Sequence, residues 1–222
     1  MENLKRKKIK QLVISCDGGA ASGKTTGAKL IAKKYNLKFL SSGMLYRYAG
    51  FLIIKKKPKN QTAFLKKEFK RINLKKIEKL QLNTQKISEY SSEIAKVKKI
   101  RNILKLFQIS FSKKHKKCII EGRDISTEIL PSSDVKFFFS CDLKNASKRR
   151  FQDLRKRNRT LKLSDVKRSI KLRNIKDKNR KHSPLLKHTD ALEIHTGKLN
   201  KKRMIEKMSK HIDQVINSKY VN

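Results

Sequence analysis

The sequence predicts an α/β fold in which helices cover both faces of a central parallel sheet. Three observations lead to this prediction. Short apolar runs at residues 12–16, 118–120 and 135–139 are typical of buried strands. These runs alternate with longer segments that carry apolar residues at helical spacing. A glycine-rich segment also joins the first strand directly to a helix. The length of 222 residues fits one large domain, or one domain with inserted lobes.

The glycine-rich segment, residues 18–25, reads Gly-Gly-Ala-Ala-Ser-Gly-Lys-Thr and fits the pattern G-x-x-x-x-G-K-[ST] of a phosphate-binding loop. Gly18 and Gly23 allow the backbone to curl, so that successive N–H groups and the next helix N-terminus can face phosphate oxygens. Lys24 can reach the β- and γ-phosphates, and the Thr25 hydroxyl can bind Mg²⁺. A glycine turn that merely joins strand to helix is the alternative, which the full pattern disfavours. The predicted nucleotide-binding residues are Gly18, Gly19, Ala20, Ala21, Ser22, Gly23, Lys24, Thr25 and Thr26.

Asp17 ends the first strand beside this loop. Its carboxylate could orient a water molecule on Mg²⁺, or it could hold only the loop backbone. The sequence leaves both interpretations open with equal weight.

The net charge is +41, from 59 Lys and Arg against 18 Asp and Glu. Charge alone would predict a nucleic-acid or anionic-surface binder. The lysines, however, are spread along nearly the whole chain and accompany abundant Ile and Asn, whose codons are also AT-rich. We therefore favour compositional drift over a specific nucleic-acid site, with a salt-sensitive affinity for polyanions expected in either case.

The three cysteines, Cys16, Cys118 and Cys141, are widely spaced and lie within or beside apolar runs. This predicts reduced thiols in a cytoplasmic protein, not a zinc site or a disulfide framework. Residues 1–10 are basic without an apolar stretch before the first strand, so we expect no secretory signal. No run approaches the ~20 apolar residues of a membrane span.

Between the loop and residue 117 the pattern is mainly helical. After a first helix containing Ala28 and Ile31, residues 39–40 predict a short strand, and Ser41-Ser42-Gly43 a turn that can cap the next helix. The remaining predictions for this part are helices over 44–54 and 63–69, short strand pieces at 72–74 and 81–82 around a helical turn, and two helices within 87–111 that break near 97–99.

The rest of the chain returns to strands alternating with helices. The strand at 118–120 runs into Glu121-Gly122-Arg123-Asp124, with apolar residues 125–130 after it, and the strand at 135–139 precedes Asp142, which can cap a helix. We then expect a basic connection at 155–160, a helix from Ser164-Asp165 to about 180, a strand over 191–195 and a final helix over 200–216.

Four separated blocks resemble the bacterial cytidylate kinases, a group of nucleoside monophosphate kinases. The blocks read DGGAASGKTT, SSGMLYR, IIEGRDISTEILP and IKLRNIKDKNRKHSPL. Together they span most of the chain outside residues 55–90, and in this order they are far more specific than the loop alone. The resemblance implies a P-loop NTP hydrolase-like three-layer fold with a core over 1–45 and 118–222, a lobe for the acceptor nucleotide over about 46–117, and a short lid over about 150–165.

The implied activity is transfer of the γ-phosphoryl group of ATP to CMP or dCMP, with Mg²⁺, within pyrimidine nucleotide metabolism. The implied partners are therefore small nucleotides; neither a specific nucleic acid nor a membrane is expected, and a monomer is the family expectation. Arginines suit the task, because a guanidinium binds phosphate oxygens in pairs and stays charged.

The same resemblance assigns the acceptor-binding residues. It places Ser42, Arg47 and Arg123 on the acceptor phosphate. It makes Asp124 a reader of the base, since cytosine offers an amino donor beside ring acceptors, and it adds Arg101 as the matching donor and Ser92. The simple alternative for Arg47, Arg101 and Ser92 is helix surface.

Arg173, Asp177 and Arg180 fall at i, i+4 and i+7 and so share one helix face. The resemblance places Arg173 and Asp177 on the sugar and phosphate of the nucleotide and Arg180 on the transferring phosphate. An ordinary ion pair between Arg173 and Asp177 is the alternative. The catalytic set is thus Lys24, Arg123, Arg173 and Arg180. One or two of the arginines around the lid are expected to close over ATP: Arg149, Arg150, Arg155 and Arg157.

The sequence departs from the family pattern at several positions. Ser41 stands where an Asp is usual, Ser126 replaces a Gly, Gly19 replaces a Pro, and His195 replaces an acidic residue. The insert in the acceptor lobe is shortened between residues 65 and 90. Two other functions remain as alternatives: a nucleic-acid-binding protein on a P-loop scaffold, and a shikimate-type or other small-molecule kinase.

Overall fold

In the computed structural model, residues 10–155 and 159–220 are described. The chain divides into two units: unit 1 comprises residues up to Leu40 and from His115 onward, and unit 2 comprises Ser41–Lys114. Among the described residues, none of the helices combines the length and apolar character needed to span a membrane.

Unit 1 contains a five-stranded parallel sheet with the order β2-β3-β1-β4-β5. Its strands are β1 (Leu12–Gly18), β2 (Lys38–Ser41, whose last residue belongs to unit 2), β3 (Lys117–Gly122), β4 (Val135–Ser140) and β5 (Leu192–His195). The central β1 pairs in parallel with β3 on one side and β4 on the other, and β4 pairs with β5. The predicted α/β class is confirmed, because the apolar runs form the interior strands.

One face of this sheet carries the main core. Alternate residues Leu12, Ile14 and Cys16 of β1 point into it, as the two-residue period of a strand requires. Helix α1 (Lys24–Tyr35) packs here with Ala28, Ile31, Ala32 and Tyr35, a stripe at helical spacing.

The C-terminal helix of unit 1 packs into the same core. Its bounds are Lys201–Tyr220, longer than the predicted 200–216, and it is named α9 below. Its buried side chains recur every four residues at Met204, Met208, Ile212 and Ile216.

Two further helices of unit 1 flank residues 156–162. Helix α7 (Leu143–Arg155) begins after Asp142, whose carboxylate accepts from the Asn145 N–H at 2.8 Å, so the predicted cap is confirmed. Helix α8 (Leu163–Asn179) packs against α7. A small apolar cluster lies between them and the glycine-rich loop and contains Ala20, Val166 and Ile170, with Leu143, Phe151, Leu154 and Leu161 around it.

Unit 2 is helical in its described residues. Its helices are α2 (Ser42–Lys56), α3 (Gln61–Lys70), α4 (Leu74–Glu78), α5 (Gln85–Ile94) and α6 (Lys98–Lys114). The break between α5 and α6 falls at residues 95–97, close to the predicted position. Ser41 caps α2, because its hydroxyl accepts from the Met44 N–H at 3.2 Å.

The predicted strand pieces at 72–74 and 81–82 are wrong. Both segments are described, and neither forms a strand. The Asn73 side chain accepts from the Lys76 N–H and so caps α4, which buries Ile77. A short apolar run does not by itself distinguish a strand from one buried helical turn.

Residues Ile125–Ile129 form a π-helical turn shortly after β3. The apolar residues of this segment resemble a strand in sequence, and Ile125 and Ile129 are indeed buried. The turn ends the strand at the carboxyl edge of the sheet, where ligands gather in α/β folds.

Candidate active site

The glycine-rich loop runs from the end of β1 to the start of α1, as predicted. Gly18 and Gly23 have φ of +153° and +83°. A Cβ on Gly18 would lie 2.3 Å from the Phe139 carbonyl oxygen, so any larger residue would displace the β4 backbone. The two glycines are therefore required by backbone conformation and by close approach. The loop presents the N-terminus of α1, with Thr25 and Thr26 exposed in its first turn.

Lys24 lies almost fully inside this loop and is 6 % exposed. Its Nζ donates to the Gly19 carbonyl oxygen at 3.0 Å and lies 3.9 Å from a Glu121 carboxylate oxygen at the end of β3. Burial, with the nearby charges of Arg123 and Arg173, lowers the pKa of Lys24 from 10.5 to about 7. Anionic phosphates bound beside Lys24 would therefore stabilise its ammonium form.

A second cluster of unit 1 lies where β3 and α8 end. The Arg123 Nε donates to the Asp177 carboxylate at 2.7 Å. Arg180, the residue after α8, lies 3.5 Å from Asp124 and 4.0 Å from Asp177, and its Nε donates to the Ser183 carbonyl oxygen. Three guanidinium-carboxylate contacts thus hold Arg123 and Arg180 in place.

Asp177 is at the centre of this cluster. Burial would raise its pKa, but the guanidinium groups of Arg123, Arg173 and Arg180 outweigh burial and lower the pKa below its usual value. One of these groups, the Arg123 guanidinium, comes from a residue 54 positions away in the sequence. Asp177 therefore belongs to a long-range cluster as well as to the helix face that it shares with Arg173.

Asp17 is fully buried and accepts three hydrogen bonds from the π-helical turn. The donors are the Ile125 N–H, the Ser126 N–H and the Ser126 hydroxyl, at 2.8, 2.7 and 2.6 Å. Burial raises its pKa to about 6 in spite of these bonds. Asp17 therefore holds the turn after β3, a partner that neither of its two sequence interpretations included. The departure at Ser126 supplies one of the three donors.

Two residues beyond the loop brace it from the β5 side. The Thr196 hydroxyl donates to the Ser22 carbonyl oxygen at 2.9 Å. Arg149 of α7 donates from Nη1 to the Thr196 hydroxyl and from Nη2 to the Thr196 carbonyl, at 2.9 and 2.7 Å. His195, another departure, shares a 2.9 Å hydrogen bond with the Ser140 hydroxyl.

The other arginines expected around the lid differ in their surroundings. The Arg155 guanidinium lies 5.5 Å from the centre of the Phe151 ring, and Arg150 is half-buried on α7. Arg157 lies outside the described residues.

In unit 2, Ser42 and Arg47 lie on α2. Ser42 is the first residue of the helix and is buried. Arg47 is half-buried, and its Nη1 would lie 3.4 Å from a Cβ on Gly43, so the side chain folds back toward the helix N-terminus. The absence of a side chain at Gly43 leaves room for this orientation.

The other two residues predicted in this unit are Arg101 and Ser92. Arg101 is 7 % exposed, donates to the Ala95 carbonyl oxygen at 3.2 Å, and places its guanidinium carbon 5.9 Å from the centre of the Tyr46 ring. Ser92 is half-buried and donates to the Ser88 carbonyl oxygen at 3.1 Å. Arg101 is therefore not the plain helix surface of the alternative interpretation.

Three residues that contact the glycine-rich loop or Lys24 were not predicted as functional from the sequence. They are Thr196, Asn174 and Glu121, of which Glu121 lies in one of the four blocks but had no predicted role. Each acts through a contact with the glycine-rich loop or Lys24. Only for Glu121 was a signal present, since a carboxylate at the end of a buried strand is seldom there for packing alone.

Comparisons with known proteins show the family and the fold that this chain resembles. A family model described as cytidylate kinase matches residues 14–214. The chain is 36 % identical over 207 residues to cytidylate kinases of Rickettsia conorii and Rickettsia africae, covering 91 % of this chain and 92 % of each relative. A crystal structure of shikimate kinase from Bacteroides thetaiotaomicron superposes with a TM-score of 0.53 at 12 % identity, covering 93 % of this chain and 99 % of that one. The last likeness concerns the fold alone.

Proposed function

The chain belongs to the cytidylate kinase family, and we propose that it transfers the γ-phosphoryl group of ATP to CMP and dCMP. The observation that carries the residue assignment lies within unit 1. Lys24, on the donor loop, is close enough to Arg123 and Arg173 for their charges to lower its pKa. One nucleotide-binding lysine and a set of phosphate-binding guanidinium groups therefore share one electrostatic environment.

We assign Lys24 to the β- and γ-phosphates of ATP, together with the N–H groups of residues 18–26. Arg123, Arg173 and Arg180 stabilise the charge on the transferring and acceptor phosphates. In the reaction an oxygen of the acceptor phosphate forms a bond to the γ-phosphorus as the bond to the β-phosphate oxygen breaks. Positioning and charge neutralisation dominate such a transfer. No general base is required, because the acceptor oxygen is already anionic.

The carboxylates of the unit 1 cluster orient these arginines. The Asp177 carboxylate accepts a hydrogen bond from Arg123 and lies near Arg180. Asp124 also lies near Arg180. Because such pairs restrict guanidinium motion before substrate arrives, less side-chain entropy is lost on binding. We assign Asp177 also to the sugar of the acceptor and Asp124 to its base.

We assign Ser42 and Arg47 of unit 2 to the acceptor phosphate and Ser92 and Arg101 to the base. Arg101 is held by the Ala95 carbonyl and by Tyr46, which supports a directional donor. We assign unit 2 as the acceptor-binding lobe and residues 150–165 as the lid.

The residues of the donor loop fit Mg²⁺. The Thr25 hydroxyl is exposed in the first turn of α1, and the Glu121 carboxylate lies beside Lys24. Oxygen atoms are the ligands that Mg²⁺ prefers, and the ion commonly uses few protein groups together with phosphates. Thr25 would hold the ion, and the ion would neutralise charge on the β- and γ-phosphates.

The three cysteines are free thiols, two of them buried, which supports a cytoplasmic location. A monomer without a specific nucleic-acid partner remains our expectation.

A coupled assay of ADP release with CMP, dCMP, UMP and AMP tests the proposed function. We expect kcat/KM for CMP and dCMP to exceed that for UMP and AMP by at least about tenfold, since the base-reading groups match an amino donor beside ring acceptors. Equal rates on all four acceptors would contradict the assigned substrate. ATP turnover on shikimate and not on CMP would instead favour the small-molecule kinase alternative.

The pKa of Lys24 makes ATP binding depend on pH. In the unliganded chain this pKa is about 7, and bound phosphates stabilise the ammonium and raise it. ATP binding above pH 7 must therefore take up a proton at Lys24, and affinity must fall as pH rises through 7. Calorimetric titration of Mg·ATP at pH 8 in two buffers of different ionisation enthalpy should reveal uptake approaching one proton. Uptake that is unchanged in Lys24→Arg would refute this origin, because an arginine stays protonated throughout.

A further inference from the structure

One peptide group of the glycine-rich loop is held from both sides. The Gly19 carbonyl oxygen accepts from Lys24 Nζ at 3.0 Å, and the N–H of the next residue, Ala20, donates to Asn174 Oδ1 at 2.9 Å. These two atoms belong to the same peptide plane. The orientation of that plane therefore decides whether Lys24 meets a carbonyl oxygen or an N–H group.

The loop itself leaves this orientation weakly constrained. Residue 19 is a glycine, so rotation of the peptide between Gly19 and Ala20 meets no side chain on its first residue. Asn174 lies directly over this position, because a Cβ on Gly19 would approach its Oδ1 to 3.1 Å. An external acceptor at Asn174 thus supplies the constraint that the loop sequence lacks.

The same helix carries this constraint to the phosphate-binding arginines. Along one face of α8, Val166 and Ile170 pack on Ala20, and Asn174 follows one turn later. Asp177, the partner of Arg123, lies in the next turn. Asn174 therefore lies on α8 between the apolar contact with the loop and the charged cluster.

We propose that Asn174 is a positioning residue for phosphoryl transfer: it fixes the Gly19–Ala20 peptide so that Lys24 is held ready for the phosphates of ATP. This inference rests on the proposed function for its kinetic consequence. Its effect on ATP binding does not require the acceptor.

The test compares Asn174→Ala, Asn174→Leu and Asn174→Asp in the full chain. Alanine and leucine remove the acceptor, and leucine keeps a similar volume. We expect both to raise the Kd and KM for Mg·ATP about tenfold, as for the loss of one well-placed hydrogen bond. The KM for CMP should stay within about twofold, and so should all constants of Asn174→Asp, which keeps an oxygen acceptor.

Lys171→Ala, an exposed change on the same helix, is the matched control and should resemble the wild type. Unchanged ATP affinity in both Asn174→Ala and Asn174→Leu would overturn the proposal. So would an equal rise in the KM of both nucleotides, or an Asn174→Asp variant as impaired as Asn174→Ala. If the wild type binds Mg·ATP without phosphorylating CMP, the proposed function fails while the binding comparison still tests Asn174.

Discussion

Replacing Lys24 with alanine is expected to lower kcat/KM for phosphoryl transfer by a factor on the order of 10²–10³, the cost of removing one preorganised charge donor from a reaction centre. Lys24 is buried in the loop, where its ammonium contacts the Gly19 carbonyl oxygen. In Lys24→Ala no cation remains at this point of the loop to stabilise the phosphates. Steady-state kinetics with ATP and CMP measure this effect.

Lys33→Ala provides the control, since Lys33 is an exposed lysine on the same helix α1. Its kinetics should match the wild type. If Lys24→Ala retained more than about a tenth of wild-type kcat/KM, the role assigned to the loop lysine would be wrong. A comparable loss in Lys33→Ala would point to net charge instead of position.

The second large effect is expected at Arg123. Arg123→Ala should lower kcat/KM for CMP by roughly 10²-fold, because a charge-assisted, paired contact to phosphate is lost. Arg123→Lys should recover only part of the loss, since an ammonium lacks the planar fork. The KM for ATP should change less than the KM for CMP, because we assign Arg123 to the acceptor phosphate.

The matched control for Arg123 is Arg168→Ala, an exposed arginine on α8. Unfolding midpoints must accompany the kinetics, because Arg123→Ala also removes the guanidinium that donates to the half-buried Asp177. A variant with normal kinetics, or one whose loss is matched by Arg168→Ala, would rule out a specific role for Arg123. Full activity in Arg123→Lys would show that charge without the fork is sufficient.

The basic composition of the chain has little part in these predictions. Membership of the cytidylate kinase family does not favour the alternative of a nucleic-acid-binding protein. Among the arginines with assigned roles, Arg123 and Arg180 contact carboxylates. Arg101, which also has an assigned role, donates to a backbone carbonyl oxygen of its own unit.

The sequence by itself determined the fold class, the glycine-rich loop and the family. These depend on short-range patterns: the apolar runs of β1, β3 and β4, the two glycines, and the spacing of residues within each block. The strand pieces predicted at 72–74 and 81–82 were wrong because they also depended on a short-range pattern. A short apolar run is equally compatible with a buried helical turn such as the one at Ile77.

Only the tertiary structure decided how the site groups are held. Asp17 meets the Ile125 N–H across 108 residues, Arg123 meets Asp177 across 54, and the Ala20 N–H meets Asn174 across 154. The order of the strands in the sheet and the packing of α8 on the loop bring these partners together. Local sequence does not specify these partners. The pKa of Lys24 depends on burial and on charged residues that are distant in sequence. The orientation of the Gly19–Ala20 peptide likewise depends on a residue that is distant in sequence.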